Sequence, residues 1–477
     1  MRLIISICAA CAAMVGAVES SPKAAVYPAD EDHAAVYENA AERDARMQWW
    51  RQAKFGMFIH YGLYSGLAGE FQGRPGGGEW IQQNLGLDTD TYAAEARPLF
   101  VPAKGCTDAW AALAEQAGCR YIILTSKHHE GFALFDTETT DFHAPHDVVG
   151  EFVASARKHG LRVGFYHSVI DWHHPAYDDT IAPALCYPKG QHAMLAARGI
   201  PRDHAAYQAY LHEQVRELLT KYGKIDIIWW DYSQDAASGQ RGWQAPRLIE
   251  MTRELQPGII MNNRLYAYSG YDTEVDSSRL DLRCGDFITP EKRLPGLVDA
   301  ATDWESCMTL GYHWGYNKND TNYKSPAQII RCLQQCAAYG GNLLLNISPR
   351  GDGSIPEGAV EVFQRVGRWM AINGEAIYCS TPAKDTEMPQ DWMVSQVGED
   401  YYLFPPALQP TEPVTVRIAT QRPALSHPHV LGQPDCRVSH SLLSERESHA
   451  VIQLTIPASA WQNAPEGLPV IKLTRRP

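Results

Sequence analysis

Short apolar runs alternating with helical stretches, polar and aromatic side chains recurring at the ends of those runs, and a composition change after Gly374 together predict an α/β protein. The architecture they predict is a (β/α)8-like TIM barrel with a C-terminal β-sandwich domain.

The run over residues 224–231, KIDIIWWD, anchors the barrel. It is short, rich in β-branched and aromatic residues, and follows Gly223, as a strand buried on both faces should. Asp231 closes it, at the strand end where barrels place their chemistry. The plain alternative for such an aspartate is the cap of a following helix or turn. Trp229 and Trp230 must point to opposite sides of the strand, and Trp230 is expected to face the barrel wall.

Seven further strands are expected, over residues 55–59, 121–125, 162–168, 258–262, 286–289, 304–309 and 341–347. Helical patterns cover residues 34–52, 148–159, 205–222, 243–255, 327–338 and 357–370. A glycine-rich loop, Arg74-Pro75-Gly76-Gly77-Gly78, leads to Glu79 and Trp80 as a flexible approach. Beyond residue 377 helical periodicity fades, and runs such as PVTVRI and AVIQLTI alternate as strands of a sandwich.

Composition narrows the function. A formal net charge of −13 and the lack of a basic run exclude nucleic acid and anionic membranes as expected partners. The N-terminus carries Arg2, an apolar core from Leu3, and small residues to Ala17, the pattern of a signal peptide over residues 1–20. That core is too short for a membrane span, and nothing later approaches one. The chain is therefore expected to be exported: periplasmic, secreted or at the surface, with Cys8 or Cys11 offering a lipid anchor as the alternative. Domain boundaries follow at 1–20 for the leader, 34–376 for the barrel and 377–477 for the sandwich. Nine of the eleven cysteines lie beyond the leader, an odd number without CxxC spacing, so neither a disulfide scaffold nor a zinc site is expected.

Residues at the strand ends include His60, His128, His129, Tyr166, Asp231, Arg264, Glu291 and Trp314. In a barrel those ends share one rim, so residues distant in sequence converge. Carboxylates, histidines and aromatic rings on one rim suit glycoside hydrolysis. One carboxylate attacks or activates water, a second protonates the leaving oxygen, and rings cover the apolar side of a sugar.

The segments KFGMFIHYG (54–62), Glu79-Trp80, TSKHHEGF (125–132), FYHS (165–168), IIWWD, WESC (304–307), HWGYN (313–317) and GGNLLLNISPRGDGSIP (340–356) occur together and in this order. In them the chain resembles the family 29 α-L-fucosidases across nearly the whole barrel. The resemblance implies a retaining exo-α-L-fucosidase with no cofactor and no metal, acting on fucosylated oligosaccharides or glycoconjugates. It makes Asp231 the nucleophile and places His60, Glu79, Trp80, His128, His129, Tyr166, Trp229, Arg264 and Trp314 in the fucose pocket, Trp314 against the C5 methyl. It also implies the broader-specificity branch, whose members accept aryl fucosides. Tyr61 and His167 depart from the family's frequent Trp and Tyr.

For the acid/base, Glu274, Glu291 and Glu305 lie between the Arg264 strand and the HWGYN motif. Glu305 sits within a strand, and Glu274 in an acidic stretch typical of a solvated turn. Glu291 follows Pro290 past a strand-like run, in the segment that carries this role in the family, and is the expected acid/base. Two other readings stand beside this one. A metal-dependent barrel hydrolase could use His60, His128, His129 and Asp231, although no strand carries an HxH pair and adjacent histidines diverge. An inactive relative could keep the pocket and only bind fucose.

Overall fold

The structure is a computed structural model, and it describes residues 38–180, 187–233, 239–265, 285–296, 303–421, 425–446 and 449–475. The apolar runs form a parallel sheet of β1 (Phe55–Ile59), β2 (Tyr121–Lys127), β3 (Arg162–Ser168), β4 (Ile227–Asp231), β5 (Ile260–Met261), β6 (Glu305–Thr309) and β7 (Asn342–Ile347). Its strand order is β5-β4-β3-β2-β1-β7-β6. Parallel neighbours need long crossovers, supplied here by α2 (Cys106–Ala117), α3 (Val148–Lys158), α4 (His204–Lys221), α5 (Ala245–Leu255) and α6 (Pro326–Tyr339). Helix α7 (Glu357–Asn373) follows the last strand, and α1 (Ala40–Ala53) precedes the first.

The alternation of side chains along each strand separates two cores. Phe58, Ile123, Tyr166, Trp229, Cys307 and Leu344 share one face and one apolar cluster. Met57, Leu124, Phe165, Trp230 and Leu345 belong to the other, against the helices. Trp230 therefore lies on the helix side and Trp229 inside, as the strand period requires. Register partners carry the pattern across the sheet: Phe58 is level with Ile123 and Asn346, Tyr166 with Trp229, and Ser168 with Asp231.

Helix α1 closes the inner cluster with Met47, Trp50 and Ala53; the Trp50 ring stacks on Phe287 at 4.7 Å. The expected helix from residue 34 begins instead at Ala40, with residues 34–37 outside the described set. Asn39 sets the start, because its side chain accepts from Ala41 and Glu42 N–H while Glu42 accepts from Asn39 N–H.

The eighth expected strand, residues 286–289, is not one. This segment makes single parallel bridges, Phe287 to Asn262 and Ile288 to Trp304, linking the two edges of the seven-stranded sheet. The Asp286 carboxylate takes the place of a ladder partner by accepting from Met261 N–H at 2.8 Å, and it is held by Arg46 and Arg253. Backbone bonds from Asp286 N–H to Met261 O, from Ile288 N–H to Asp303 O and from Glu305 N–H to Ile288 O complete the link. The expected loop at residues 74–78 also differs: Arg74–Pro75 pairs with Glu70–Phe71 in a small hairpin. Helix α2, Thr89–Ala96 and Lys189–Ala197 add helices that the sequence reading does not contain.

After residue 377 two antiparallel sheets follow, one of five strands and one of four. Leu403 and Leu473 of the first join Ile418, Ile452 and Leu454 of the second in one apolar cluster. The five-stranded sheet and its flanking loops also pack on the helices. Arg365 of α7 forms a two-bond ion pair with Glu466, Trp369 Nε1 donates to Leu468 O, and Arg331 of α6 donates to Pro405 O. Among the described residues no helix is long and apolar enough to cross a membrane, and no cysteine is paired.

Glu305, on β6, lies inside the sheet and is 0% exposed, accepting from Tyr121 Oη and from Trp229 Nε1. Burial pushes its carboxyl up to about 7, while those hydrogen bonds pull the other way. A folded-state value above the ordinary 4.5 means that its contribution to stability is complete below 4.5 and is lost as pH rises through about 7. Glu305→Gln, uncharged throughout, should therefore lose less stability relative to wild type at pH 8 than at pH 5. Urea unfolding midpoints at both pH values measure this, and an unchanged difference would refute the assignment.

Candidate active site

The strand ends bring the expected residues into one cluster. Asp231 ends β4, and its Oδ1 accepts from Arg264 Nη1 at 2.9 Å while Oδ2 accepts from Tyr166 Oη at 2.8 Å. His129 Nε2 stands 3.7 Å from the same Oδ2. The second terminal nitrogen of Arg264 donates to Glu291 Oε2 at 3.0 Å, and Trp314 Nε1 donates to Glu291 Oε1 at 3.1 Å. One guanidinium therefore bridges the two carboxylates.

Arg264 is itself fixed on several sides. Its Nε donates to Thr289 Oγ1, Nη2 approaches Cys307 Sγ, and the guanidinium sits 4.5 Å from the Trp229 ring centre. Trp229 is 2% exposed and donates to Glu305 below, so its ring forms the base under Arg264. Glu305 is sealed beneath that ring and cannot reach a bound substrate. Glu274 lies outside the described residues.

The rings line up around these carboxylates. His60 lies 5.0 Å from Trp314, 5.5 Å from Tyr166 and 5.7 Å from His128, all between ring centres. His128 stacks on Tyr166 and sits 4.1 Å from His129, which meets Trp80 at 5.3 Å. His128 and His129 follow the end of β2 at Lys127, in the turn after the strand, where the alternation of strand side chains no longer applies and two successive rings can lie side by side. Glu79 is buried, and its Oε2 accepts from Gly315 N–H at 2.7 Å. Gly315 has to be glycine, since a Cβ there would stand 2.8 Å from Glu79 N. Burial pushes the Glu79 carboxyl up. Among the described residues no three His, Cys, Asp or Glu side chains converge to hold a metal ion.

Two histidine tautomers follow from second partners. Ser168 Oγ gives its proton to Ile170 O, so it accepts from His129 Nδ1–H at 2.6 Å. The Asn346 amide nitrogen donates to Trp314 O and its oxygen accepts from His60 Nδ1–H at 2.7 Å. Both rings therefore leave a bare Nε2 acceptor. Burial drives His60 down to about 4 and His129 down to about 3, which keeps both neutral.

Each carboxylate is followed by a residue in the left-handed region, Tyr232 at φ 77° and Lys292 at φ 54°. Non-glycine residues adopt this region at a cost, and such strain clusters at functional sites. Ser168, Thr289, Cys307 and Asn346 were not among the expected site residues. The signal for two of them was available, because Ser168 and Cys307 stand two residues from Tyr166 and Glu305 on the same strands. Tyr61 and His167 lie behind the strands: Tyr61 Oη donates to Gly351 O, and His167 Nδ1 pairs with Ser126 Oγ.

Residues 24–375 match the family model described as Alpha-L-fucosidase. The chain belongs to the alpha-L-fucosidase family of glycoside hydrolases. It is similar to the tissue alpha-L-fucosidase of Mus musculus, 30% identical over 369 residues that cover 70% of this chain and 72% of that one. The alpha-L-fucosidase of Dictyostelium discoideum is 29% identical over 360 residues, with 70% and 72% covered. Among solved structures, alpha-L-fucosidase isoenzyme 1 from Paenibacillus thiaminolyticus superposes with a TM-score of 0.75 at 33% identity, covering 91% of this chain and 100% of the other. A GH29 alpha-L-fucosidase from Bacteroides thetaiotaomicron, captured as a covalent intermediate with 2-fluoro-fucosyl fluoride, gives 0.74 at 27% identity, covering 91% and 97%. The fucosidase family thus accounts for the strand-end motifs through nearly the whole parallel sheet.

The neutral Nδ1–H tautomers of His60 and His129 should persist down to pH 5. Imidazole nitrogen NMR of the resting protein checks this, and an imidazolium at either ring near pH 6 would contradict the arrangement.

Proposed function

We propose that this chain is a retaining exo-α-L-fucosidase, releasing terminal α-L-fucosyl residues from oligosaccharides or glycoconjugates by double displacement. The observation that carries the reading is the pair Asp231 and Glu291 held on one guanidinium among the rings of the strand ends. Such a shared partner favours the short carboxylate separation of retaining pairs, about 5–5.5 Å, over the wider inverting one.

In the first step an Asp231 oxygen attacks the anomeric carbon while Glu291 protonates the glycosidic oxygen. The bond to the leaving alcohol breaks, and a β-fucosyl ester of Asp231 forms. In the second step water attacks the same carbon from the opposite face and gives a proton to Glu291. The ester bond breaks, releasing α-L-fucose and the free carboxylate. The Bacteroides thetaiotaomicron relative was captured at the covalent stage with a glutamate-to-glutamine variant, which is in keeping with this sequence of steps.

The substrate-binding set is His60, Glu79, Trp80, His128, His129, Tyr166, Trp229, Arg264 and Trp314. Bare Nε2 atoms on His60 and His129 accept from ring hydroxyls, and Arg264 keeps the carboxylates in place. Trp314 packs on the C5 methyl, which contributes about 1 kcal/mol. The larger effect of that wall is to exclude a hydroxymethyl group. On the same reading the seven strands and the bridging segment form a closed (β/α)8-like barrel over residues 34–376. The two antiparallel sheets, with their common apolar cluster, form a β-sandwich over 377–477. Residues 1–20 are a signal peptide, and the mature chain is exported.

Asp231→Ala should lower turnover of an aryl fucoside about a thousandfold or more, without loss of fold by circular dichroism. Glu291→Ala should be rescued by azide on a substrate with a good leaving group, yielding α-fucosyl azide, while azide with Asp231→Ala should yield the β product. Proton NMR during turnover should show α-fucose first; β-fucose first would sink the retaining mechanism. Activity abolished by a strong chelator would favour a metal-dependent hydrolase instead.

A further inference from the structure

We infer that Tyr312, held by Lys292 at the outer side of Glu291, is a stacking platform for the sugar to which the fucose is attached. The inference rests on the proposed fucosidase activity and names its leaving-group subsite.

The direction out of the pocket can be read from exposure. The Asp231 side chain is 13% exposed and that of Glu291 29%; Tyr312, taken as a whole residue, is 76% exposed, the highest among the large apolar residues described. The leaving oxygen must lie near Glu291, and whatever it carries extends past Glu291 toward solvent. Trp314 occupies the inner side of this path through its bond to Glu291. Lys292 connects the next position. Its ammonium lies 5.5 Å from the Trp314 ring centre and 5.4 Å from that of Tyr312, and it donates to Tyr312 O at 2.9 Å.

Exposed aromatic residues are common and usually mean little. This one is presented on a rigid turn. Asp320 accepts from both Tyr312 N–H and His313 N–H at 2.7 and 2.8 Å, and a Cβ at Gly311 would press on the Asp320 carboxylate at 2.5 Å. Lys292 is held in turn, because its backbone N–H donates to Cys307 O of β6. Preorganised rings bind at a low entropy cost. A ring so placed suits the C–H face of a pyranose, and the remaining Lys292 N–H groups suit its hydroxyls. The ligand class is therefore a hexopyranosyl leaving group, rather than a small or non-cyclic one.

The test compares two substrate types on wild type, Tyr312→Ala and Tyr312→Phe. Fucosyl fluoride has a single-atom leaving group, while fucosyl disaccharides of defined linkage carry a hexopyranose. For Tyr312→Ala, kcat/KM on at least one disaccharide should fall about fivefold to tenfold relative to that on the fluoride, chiefly through KM. Tyr312→Phe, which keeps the ring, should retain the wild-type ratio. An unchanged ratio for Tyr312→Ala on every linkage, or an equal loss on both substrate types, would overturn the platform. Wild-type protein that turns over neither type overturns the fucosidase reading, and the platform with it.

Discussion

The bridge from Arg264 to Asp231 and Glu291 is the contact on which the rest of the site depends. Two carboxylates brought close together in a partly buried place repel each other, and a cation shared between them offsets that repulsion. Arg264 can serve both because a planar guanidinium presents several donors at fixed angles, which an ammonium does not. Its own position comes from a vertical stack: Glu305 takes hydrogen bonds from Tyr121 and Trp229, and the Trp229 ring supports the guanidinium. The inner core is thus not only apolar filling. It transmits position from the end closed by α1 to the end where the carboxylates stand.

A second constraint concerns protons. His60 and His129 are buried deeply enough to stay neutral, and each has its proton placed by a hydrogen-bond partner that is itself committed elsewhere. Ser168 and Asn346 therefore select which histidine nitrogen is left bare. Neutral acceptors suit sugar hydroxyls, since they bind a donor without adding charge beside Asp231 and Glu291. Strained backbone at Tyr232 and Lys292, directly after each carboxylate, belongs to the same design.

Much of this was legible in the sequence, for local reasons. The strands appear as β-branched and aromatic runs, and the period of two assigns Trp229 and Trp230 to opposite faces. The strand ends and the motifs together name the eleven expected site residues, all of which the structure brings into one cluster. The glycine of HWGYN was visible too, although the reason for it, the approach of Glu79, was not. Residues 286–289 misled for a physical reason. Their apolar pattern suits a strand, but the segment makes only isolated bridges to Asn262 and Trp304, with the Asp286 carboxylate on Met261 N–H and two arginines adding side-chain anchors to those few backbone bonds.

The sequence by itself determined the period of the parallel strands, the membership of the family and the identity of the polar residues at the strand ends. Those features depend on neighbours within a few residues or on motifs that survive as strings. The tertiary structure decided the rest: that one arginine serves both acids, that Glu305 is sealed below Trp229, which nitrogen of His60 and His129 is bare, and that the Lys292 ammonium lies near both the Trp314 and the Tyr312 rings. Each of these is a relation between side chains far apart in sequence. Hydrogen bonds and burial act through space, and no local pattern records which distant partner will occupy the other end of a bond.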